Sequence, residues 1–105
     1  MTRKCRADSI LQDTKECYVT RKRYGMAAVG GLQCHHIYAG KNREISDRHG
    51  FWVWLLPMYH TGSNMAVHGR DGAALDLELK QDCQRKFEET HTRQEFISII
   101  GRSYL

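Results

Sequence analysis

Four histidines have the clearest potential for chemistry in this chain, and all four lie where predicted elements meet. His35 and His36 are adjacent in the stretch LQCHHIYAGKNR, and His60 and His68 follow further along. A neutral imidazole is both a transition-metal ligand and a general base near neutral pH. These residue types therefore point to a metal centre or to acid–base catalysis.

The segment MYHTGSNMAVH brings two of these histidines together if it is helical. His60, Asn64 and His68 are spaced four residues apart, a spacing that shares one helix face. Such a face could present two or three ligands to one ion. The adjacent pair on the preceding strand could then supply another ligand and a base.

The adjacent pair, His35 and His36, poses a geometric question. Consecutive side chains of a strand point to opposite faces, so a strand holds only one of the two inward. At a bulge or a strand end, both rings can be aimed at one site. The simpler interpretation is that one of them is a core histidine with satisfied hydrogen bonds and that His60 caps a helix.

The elements that must position these histidines are a hairpin, a loop and a short helix. Residues 16–20 are predicted to form a short strand, with residues 32–39 as the strand that pairs back with it. A polar connection, residues 40–50, leads to the apolar run FWVWLL, which Pro57 ends. Pro57 suits the first turn of a helix, although Gly62 disfavours its continuation.

Two further helices are predicted at the C-terminus. Apolar residues recur every four positions in an amphipathic helix of roughly four turns. Thr92 and Glu95 have the spacing of a capping box, and a last helix over residues 93–100 ends at Gly101. The apolar positions of these two helices are Leu75, Leu79, Cys83, Phe87, Phe96, Ile97 and Ile100.

Length and composition bound the class of protein. The chain has 105 residues, 41% hydrophobic and 27% charged, which is typical of one globular domain. We expect a polar N-terminal segment over residues 1–15 and a single domain over residues 16–105. The longest apolar run, residues 50–59, is too short to span a bilayer, and the N-terminus lacks an apolar signal core. A cytoplasmic location and no membrane partner are therefore expected.

The four cysteines are scattered without a C-x-x-C pair, at Cys5, Cys17, Cys34 and Cys83. This pattern favours reduced thiols over a disulfide framework or a zinc ribbon.

The net charge of +4 includes two basic clusters, residues 21–23 and the group Lys41, Arg43 and Arg48. Clustered positive charge suits a polyanion such as nucleic acid, although a basic loop is often only a solvated surface. Arg70, next to VHG, is a further candidate for contact with phosphate.

The motifs CHHIYAG, FWVWLLPMYH and VH, in this order, resemble the HNH nucleases, which have the ββα-metal fold. HHIYAGKNR, HGFWVWLLP, VHG, LDLELKQ, QRKFEETHTRQEF and IGRSYL are similar to small HNH-type proteins of phages and prophages of Gram-positive bacteria. The resemblance covers nearly all of residues 16–105. It implies an α+β fold with an HNH-like hairpin and helix followed by two C-terminal helices, encoded by a phage or prophage and located in the bacterial cytoplasm.

The resemblance also implies an activity and assigns roles. The activity is metal-dependent DNA cleavage, with His36 matching the general base that activates water. His35 and His60 match the metal ligands, and His68 or Asn64 would complete the site or contact phosphate. The expected cofactor is one divalent ion, either Mg, Mn, Ni or Zn, and the expected partner is DNA, with Lys41, Arg43, Arg48 and Arg70 on its backbone.

Two positions depart from the family pattern. Phe51 stands where the family has the asparagine that orients the base, and Asn42 is the nearest substitute for that role. The places that match the family's zinc-binding cysteine pairs hold Thr20 after Cys17, and Leu56 with Tyr59, so no structural zinc is expected.

Two other classes of function stay open from the sequence. One is a catalytically degenerate HNH fold that binds nucleic acid, or a phage or host protein, without cutting. The other is a histidine-rich metal-binding module with no role on nucleic acid. The oligomeric state is also open, and a dimer is one option because the long amphipathic helix could pack on a second chain.

Overall fold

Residues 7–105, the part of the chain that the computed structural model describes, contain five α-helices, a short 3₁₀ helix (Gly40–Asn42) and a two-stranded antiparallel sheet. The elements, in chain order, are α1 (Tyr18–Tyr24), β1 (Gln33–His36), α2 (Arg43–His49), β2 (Trp52–Leu55), α3 (Pro57–His60), α4 (Ala73–Phe87) and α5 (Arg93–Ile100). The α+β class expected from the sequence is confirmed. Over the same residues, no helix has both the length and the apolar character that crossing a membrane requires.

The hairpin joins β1 to β2, so the predicted pairing of residues 32–39 with residues 16–20 is wrong. In the observed register, His35 faces Val53 and His36 faces Trp52. Instead, residues 18–20 form the start of α1. The aromatic and β-branched residues of this stretch favour a strand locally. Tertiary contacts prevail over that local preference. In particular, Val19 is buried in the core.

Ion pairs on its outer face also hold α1 in place. Lys22 binds Glu78 and Asp82 of α4 at 2.8 and 2.6 Å, and Arg23 binds Glu78 at 3.1 Å. Arg21 binds Glu16 at 2.7 Å. The basic cluster at residues 21–23 is thus engaged with acidic side chains of the same chain.

The connection between the two strands contains α2, where the sequence predicted a polar loop. One buried side chain, that of Ser46, binds the helix to the residues that follow β1. The Ser46 hydroxyl donates to the Tyr38 carbonyl at 2.7 Å and accepts from the Tyr38 amide at 3.2 Å. Gly50 ends the helix at φ 75°, a conformation that glycine adopts without steric cost.

The two C-terminal helices are confirmed. Thr92 and Glu95 form the expected capping box, and Gly101 ends α5. The buried residues of α4 include all four predicted apolar positions. In α5, Phe96 and Ile100 are buried while Ile97 is only partly buried.

Aromatic rings form the centre of the core, where the hairpin meets the C-terminal helices. Phe51 is fully buried. Its ring centroid lies 5.6 Å from that of Tyr38, 5.7 Å from that of Phe87 and 6.2 Å from that of Phe96. This cluster fixes the β1–β2 hairpin against α4 and α5.

The N-terminal segment runs along the outer edge of β2. Residues 7–16 contain bends and no helix. The Ser9 hydroxyl donates to the Trp52 carbonyl at 2.5 Å, and the Trp52 indole N–H donates to the Ala7 carbonyl at 2.8 Å. Residues 1–6 of the predicted polar segment, with Cys5, lie outside the described residues. Cys17 and Cys83 are buried free thiols, as expected.

Helix α3 begins at Pro57 as predicted but is a single turn, and residues 61–72 fold back on it. The Val67 amide donates to the Tyr59 carbonyl at 2.8 Å, and the His68 amide donates to the His60 carbonyl at 3.1 Å. The predicted helical face through His60, Asn64 and His68 is therefore wrong. The reversed chain brings His68 back to His60 by a different route.

Close backbone contacts explain the glycines of this loop. A Cβ atom at Gly72 would lie 1.9 Å from the Ala66 carbonyl oxygen, and one at Gly69 would lie 2.3 Å from the Ser63 carbonyl oxygen. Only a residue without a side chain allows the chain to pass itself at these distances. The glycines are thus required for the loop that carries His68.

We expect Gly72→Ala to lower the free energy of unfolding by about 1–3 kcal/mol, because the backbone must move to relieve the new contact. Gly30→Ala is the matched control, since a Cβ atom there meets nothing within 4 Å. Urea denaturation of the two variants and the parent chain measures the difference. Equal stability of both variants would contradict the tight packing of this loop.

Candidate metal centre

Three histidines from three different segments converge at one end of the hairpin. His35 comes from β1, His60 ends α3, and His68 comes from the loop after it. One ring nitrogen of each lies within 4.8 Å of the others. The ring centroids are 5.3 Å apart for His35 and His60, 5.2 Å for His35 and His68, and 4.8 Å for His60 and His68. This group could hold a metal ion, and its members are the three ligands expected from the sequence.

Each ring is held by a different local constraint. His35 is 2% exposed, because the strand alternation turns it to the same face as its partner Val53. His60 is half-buried, and its Nδ1 lies 2.8 Å from the Gln33 Oε1. His68 is exposed, and its backbone bond to His60 keeps the two residues adjacent. The group thus has a buried side and a solvent-accessible side.

The electrostatics of the group favour neutral imidazoles. Burial, and next the neighbouring His60 and His68, lower the pKa of His35 to about 3. Burial and His68 also lower the pKa of His60. A histidine must be neutral to ligate a metal, so both rings have the required form at neutral pH.

An unpaired buried nitrogen provides a direct test of whether a metal fits. The His35 Nε2 is buried and has no hydrogen-bond partner among residues 7–105. A buried polar atom without a partner costs roughly 1–3 kcal/mol, and a metal–nitrogen bond would remove that cost. Imidazole nitrogens suit zinc, copper, nickel and iron. Three such ligands leave a coordination position open for water or substrate.

His36, the residue after the buried ligand, has a different environment. It ends β1 opposite Trp52, and its Nε2 lies 3.5 Å from the Asp47 Oδ1 of α2. Burial, and next the positive charge of Arg43, lower the pKa of His36, while Asp47 opposes that shift. The adjacent histidines therefore take separate positions, one among the three converging rings and one against a carboxylate.

The structure does not bring Asn42 or Phe51 to His36 as side-chain partners. The Asn42 Nδ2 donates to the Ile100 carbonyl at 3.0 Å, which ties the start of α2 to the end of α5. Phe51 is in the core. Sequence reasoning missed Asp47 as the partner of His36. Because residues 40–50 were predicted to be a loop, the sequence did not indicate that Asp47 would lie on a helix beside His36.

The basic residues of α1 form ion pairs, whereas three of the basic residues near this site do not within residues 7–105. Lys41, Arg43 and Arg48 are exposed on or beside α2, and within residues 7–105 none of them forms an ion pair. The Arg70 side chain is 76% exposed, with Asp71 at 3.5 Å. Asn64 is also exposed, in the loop that carries His68, and its backbone carbonyl accepts from the Asp71 amide at 2.7 Å.

No protein-family model, curated protein or solved structure matches this chain. A function for the chain is therefore argued from its own residues, and first from the three converging histidines.

We expect His68→Ala to weaken the binding of Co²⁺ or Zn²⁺ by more than the 10- to 100-fold that loss of an outer-shell partner typically causes. The exposed position of His68 allows the substitution without a change in the core. Calorimetric titration, with the visible spectrum of the Co²⁺ complex, measures the effect. His91→Ala is the control, since His91 is also exposed but stacks on Phe87 of α4. Equal affinity of the two variants would contradict the assignment.

Proposed function

We propose that this protein is a metal-dependent endonuclease that hydrolyses phosphodiester bonds in DNA, with His36 as the general base. The observation that carries the proposal is the convergence of His35, His60 and His68, together with a fourth imidazole, His36, which is near enough to His60 to lower its pKa and is paired with a carboxylate. Phosphodiester hydrolysis needs these two functions side by side. One stabilises negative charge on the phosphate and the other removes a proton from water.

Three side chains would hold the ion in this proposal. His35 would bind through its buried Nε2, and His60 would bind through the nitrogen that does not face Gln33. His68, from the exposed side, would complete the set. A divalent ion bound there supplies Lewis-acid stabilisation of the scissile phosphate and the leaving oxygen.

His36 would accept the proton of the attacking water. Its lowered pKa keeps the ring neutral and therefore able to act as a base near neutral pH. The imidazolium that forms would be stabilised by the Asp47 carboxylate at 3.5 Å. Asp47 would thus take the orienting role that the sequence assigned to Asn42.

DNA would approach the site across basic side chains. Arg43 lies close enough to His36 to lower its pKa, and Lys41 and Arg48 extend the positive surface along the same segment. Arg70, whose side chain is exposed, follows His68 by two residues. Phosphate contacts of this kind provide affinity and register without sequence preference.

A second candidate is a domain with the same architecture that binds nucleic acid, or a phage or host protein, without cutting. The environments of Asn42 and Phe51 favour this candidate. Asn42 is committed to the Ile100 carbonyl, and Phe51 is in the core. Neither side chain therefore orients His36 as the asparagine of the HNH family would, whereas the Asp47 carboxylate lies 3.5 Å from it.

We expect the purified protein to nick supercoiled plasmid in the presence of Mg²⁺, Mn²⁺, Ni²⁺ or Zn²⁺, and His36→Ala to nick about 100- to 10,000-fold more slowly, the usual contribution of a general base. Metal affinity, measured in parallel, should stay near that of the parent chain because His36 is not a ligand. His91→Ala again serves as the control. A chain that binds metal and DNA but does not nick would favour the second candidate.

We expect Arg43→Ala to weaken binding to duplex DNA of any sequence and to reduce the slope of log K against log salt by about one phosphate contact. Arg85→Ala is the matched control, because Arg85 is also exposed but lies on α4 near Asp82. Fluorescence anisotropy over a range of salt concentrations measures both slopes. Identical slopes for the two variants would show that Arg43 does not contact the DNA backbone.

A further inference from the structure

The Gln33 side chain is not a member of the histidine group, but it contacts one member, His60. Its Oε1 lies 2.8 Å from the His60 Nδ1. Gln33 and His35 are two residues apart in β1, so both point to the same face of the strand. One strand thus supplies both a ligand and a contact to a second ligand.

The chemistry of this contact fixes the proton on His60. An amide oxygen can only accept a hydrogen bond, and a neutral imidazole carries one N–H. With the oxygen facing it, the His60 Nδ1 carries the proton and Nε2 keeps its lone pair. The opposite orientation of the amide would put the proton on Nε2 and prevent that nitrogen from binding a metal.

The neighbouring ligand independently supports the same arrangement. The His35 Nε2 is buried without a partner among the described residues. Both rings would then offer the same nitrogen, Nε2, to the shared position. In known metal sites a ligating histidine almost always donates its other N–H to an oxygen, which fixes the tautomer and raises the basicity of the ligand.

We propose that Gln33 is a positioning residue that holds His60 in the Nδ1–H tautomer and so reserves Nε2 for the metal ion. The inference rests on the metal centre of the proposed function but not on DNA cleavage. The exposed side chain of Gln33 can be replaced without disturbing the core.

The first test is the tautomer of His60 in the metal-free protein. Long-range ¹H–¹⁵N correlation spectra at mildly alkaline pH distinguish the two neutral tautomers. We expect Nδ1–H in the parent chain and in Gln33→Glu, because a carboxylate accepts the same hydrogen bond. Gln33→Ala should lose this preference, whereas Gln94→Ala, an exposed glutamine on α5, should keep it. An Nε2–H tautomer in the parent chain, or no change in Gln33→Ala, would overturn the inference.

The second test is affinity for Co²⁺. We expect Gln33→Ala to bind about 10- to 100-fold more weakly than the parent chain, as is typical for loss of an outer-shell partner. Gln33→Glu should restore or exceed the parent affinity. A Gln33→Glu variant as weak as Gln33→Ala would overturn the positioning role, because a merely steric contact is not restored by the carboxylate.

Neither measurement requires nuclease activity. If the plasmid is not nicked but the tautomer and the Co²⁺ affinity change as expected, the proposed cleavage fails and the role of Gln33 stands. If nicking occurs and the tautomer is unaffected by Gln33→Ala, the opposite holds.

Discussion

Because β1 pairs with β2 so that His35 faces Val53 and His36 faces Trp52, the two adjacent imidazoles have different surroundings. On one face, His35 is buried and meets the rings of His60 and His68. At the end of the same strand, His36 meets the Asp47 carboxylate of the helix inserted between the strands. A change of register by one residue would exchange these environments. The positions of both His35 and His36 therefore depend on this pairing.

A two-stranded hairpin is marginal in water by itself, so the rest of the fold must hold the register. Phe51, the residue before β2, is buried among Tyr38, Phe87 and Phe96, and each such buried aromatic side chain contributes roughly 1.5–3 kcal/mol. Along the outer edge of β2, hydrogen bonds from the N-terminal segment to the backbone of Trp52 and Trp54 cover an edge that would otherwise be open. The C-terminal helices thus serve the site indirectly, since they fix the hairpin that presents it.

The parts of the fold that could be predicted from sequence are those with a strong local signal. The four-residue apolar repeat of α4 and the capping box of α5 are local, and both helices were predicted correctly. Helices α1 and α2 were missed because each is short, and each is held by distant contacts: Lys22 with Glu78, and Ser46 with Tyr38.

Site prediction has the same limit. The three converging histidines were identified by residue type, but the route that brings His68 to His60 was predicted incorrectly, since it depends on glycines that allow the backbone to pass itself. Gln33 and Asp47 were missed because the role of each depends on the histidine ring that it contacts, which the residue type alone does not indicate. A glutamine on a strand is unremarkable until its oxygen is found against an imidazole nitrogen.

A ligand set made only of histidines has a consequence for the proposed chemistry. Neutral imidazoles leave the full positive charge of a divalent ion in place, whereas carboxylate ligands would cancel part of it. The charge would be presented on the exposed side of the group, where His68 lies. A phosphodiester would then meet positive charge from the ion and from the surface together, while the Asp47 carboxylate stays beside His36. In the proposed mechanism the Asp47 carboxylate would stabilise the imidazolium of His36, while the three converging histidines would add no negative charge to the ion.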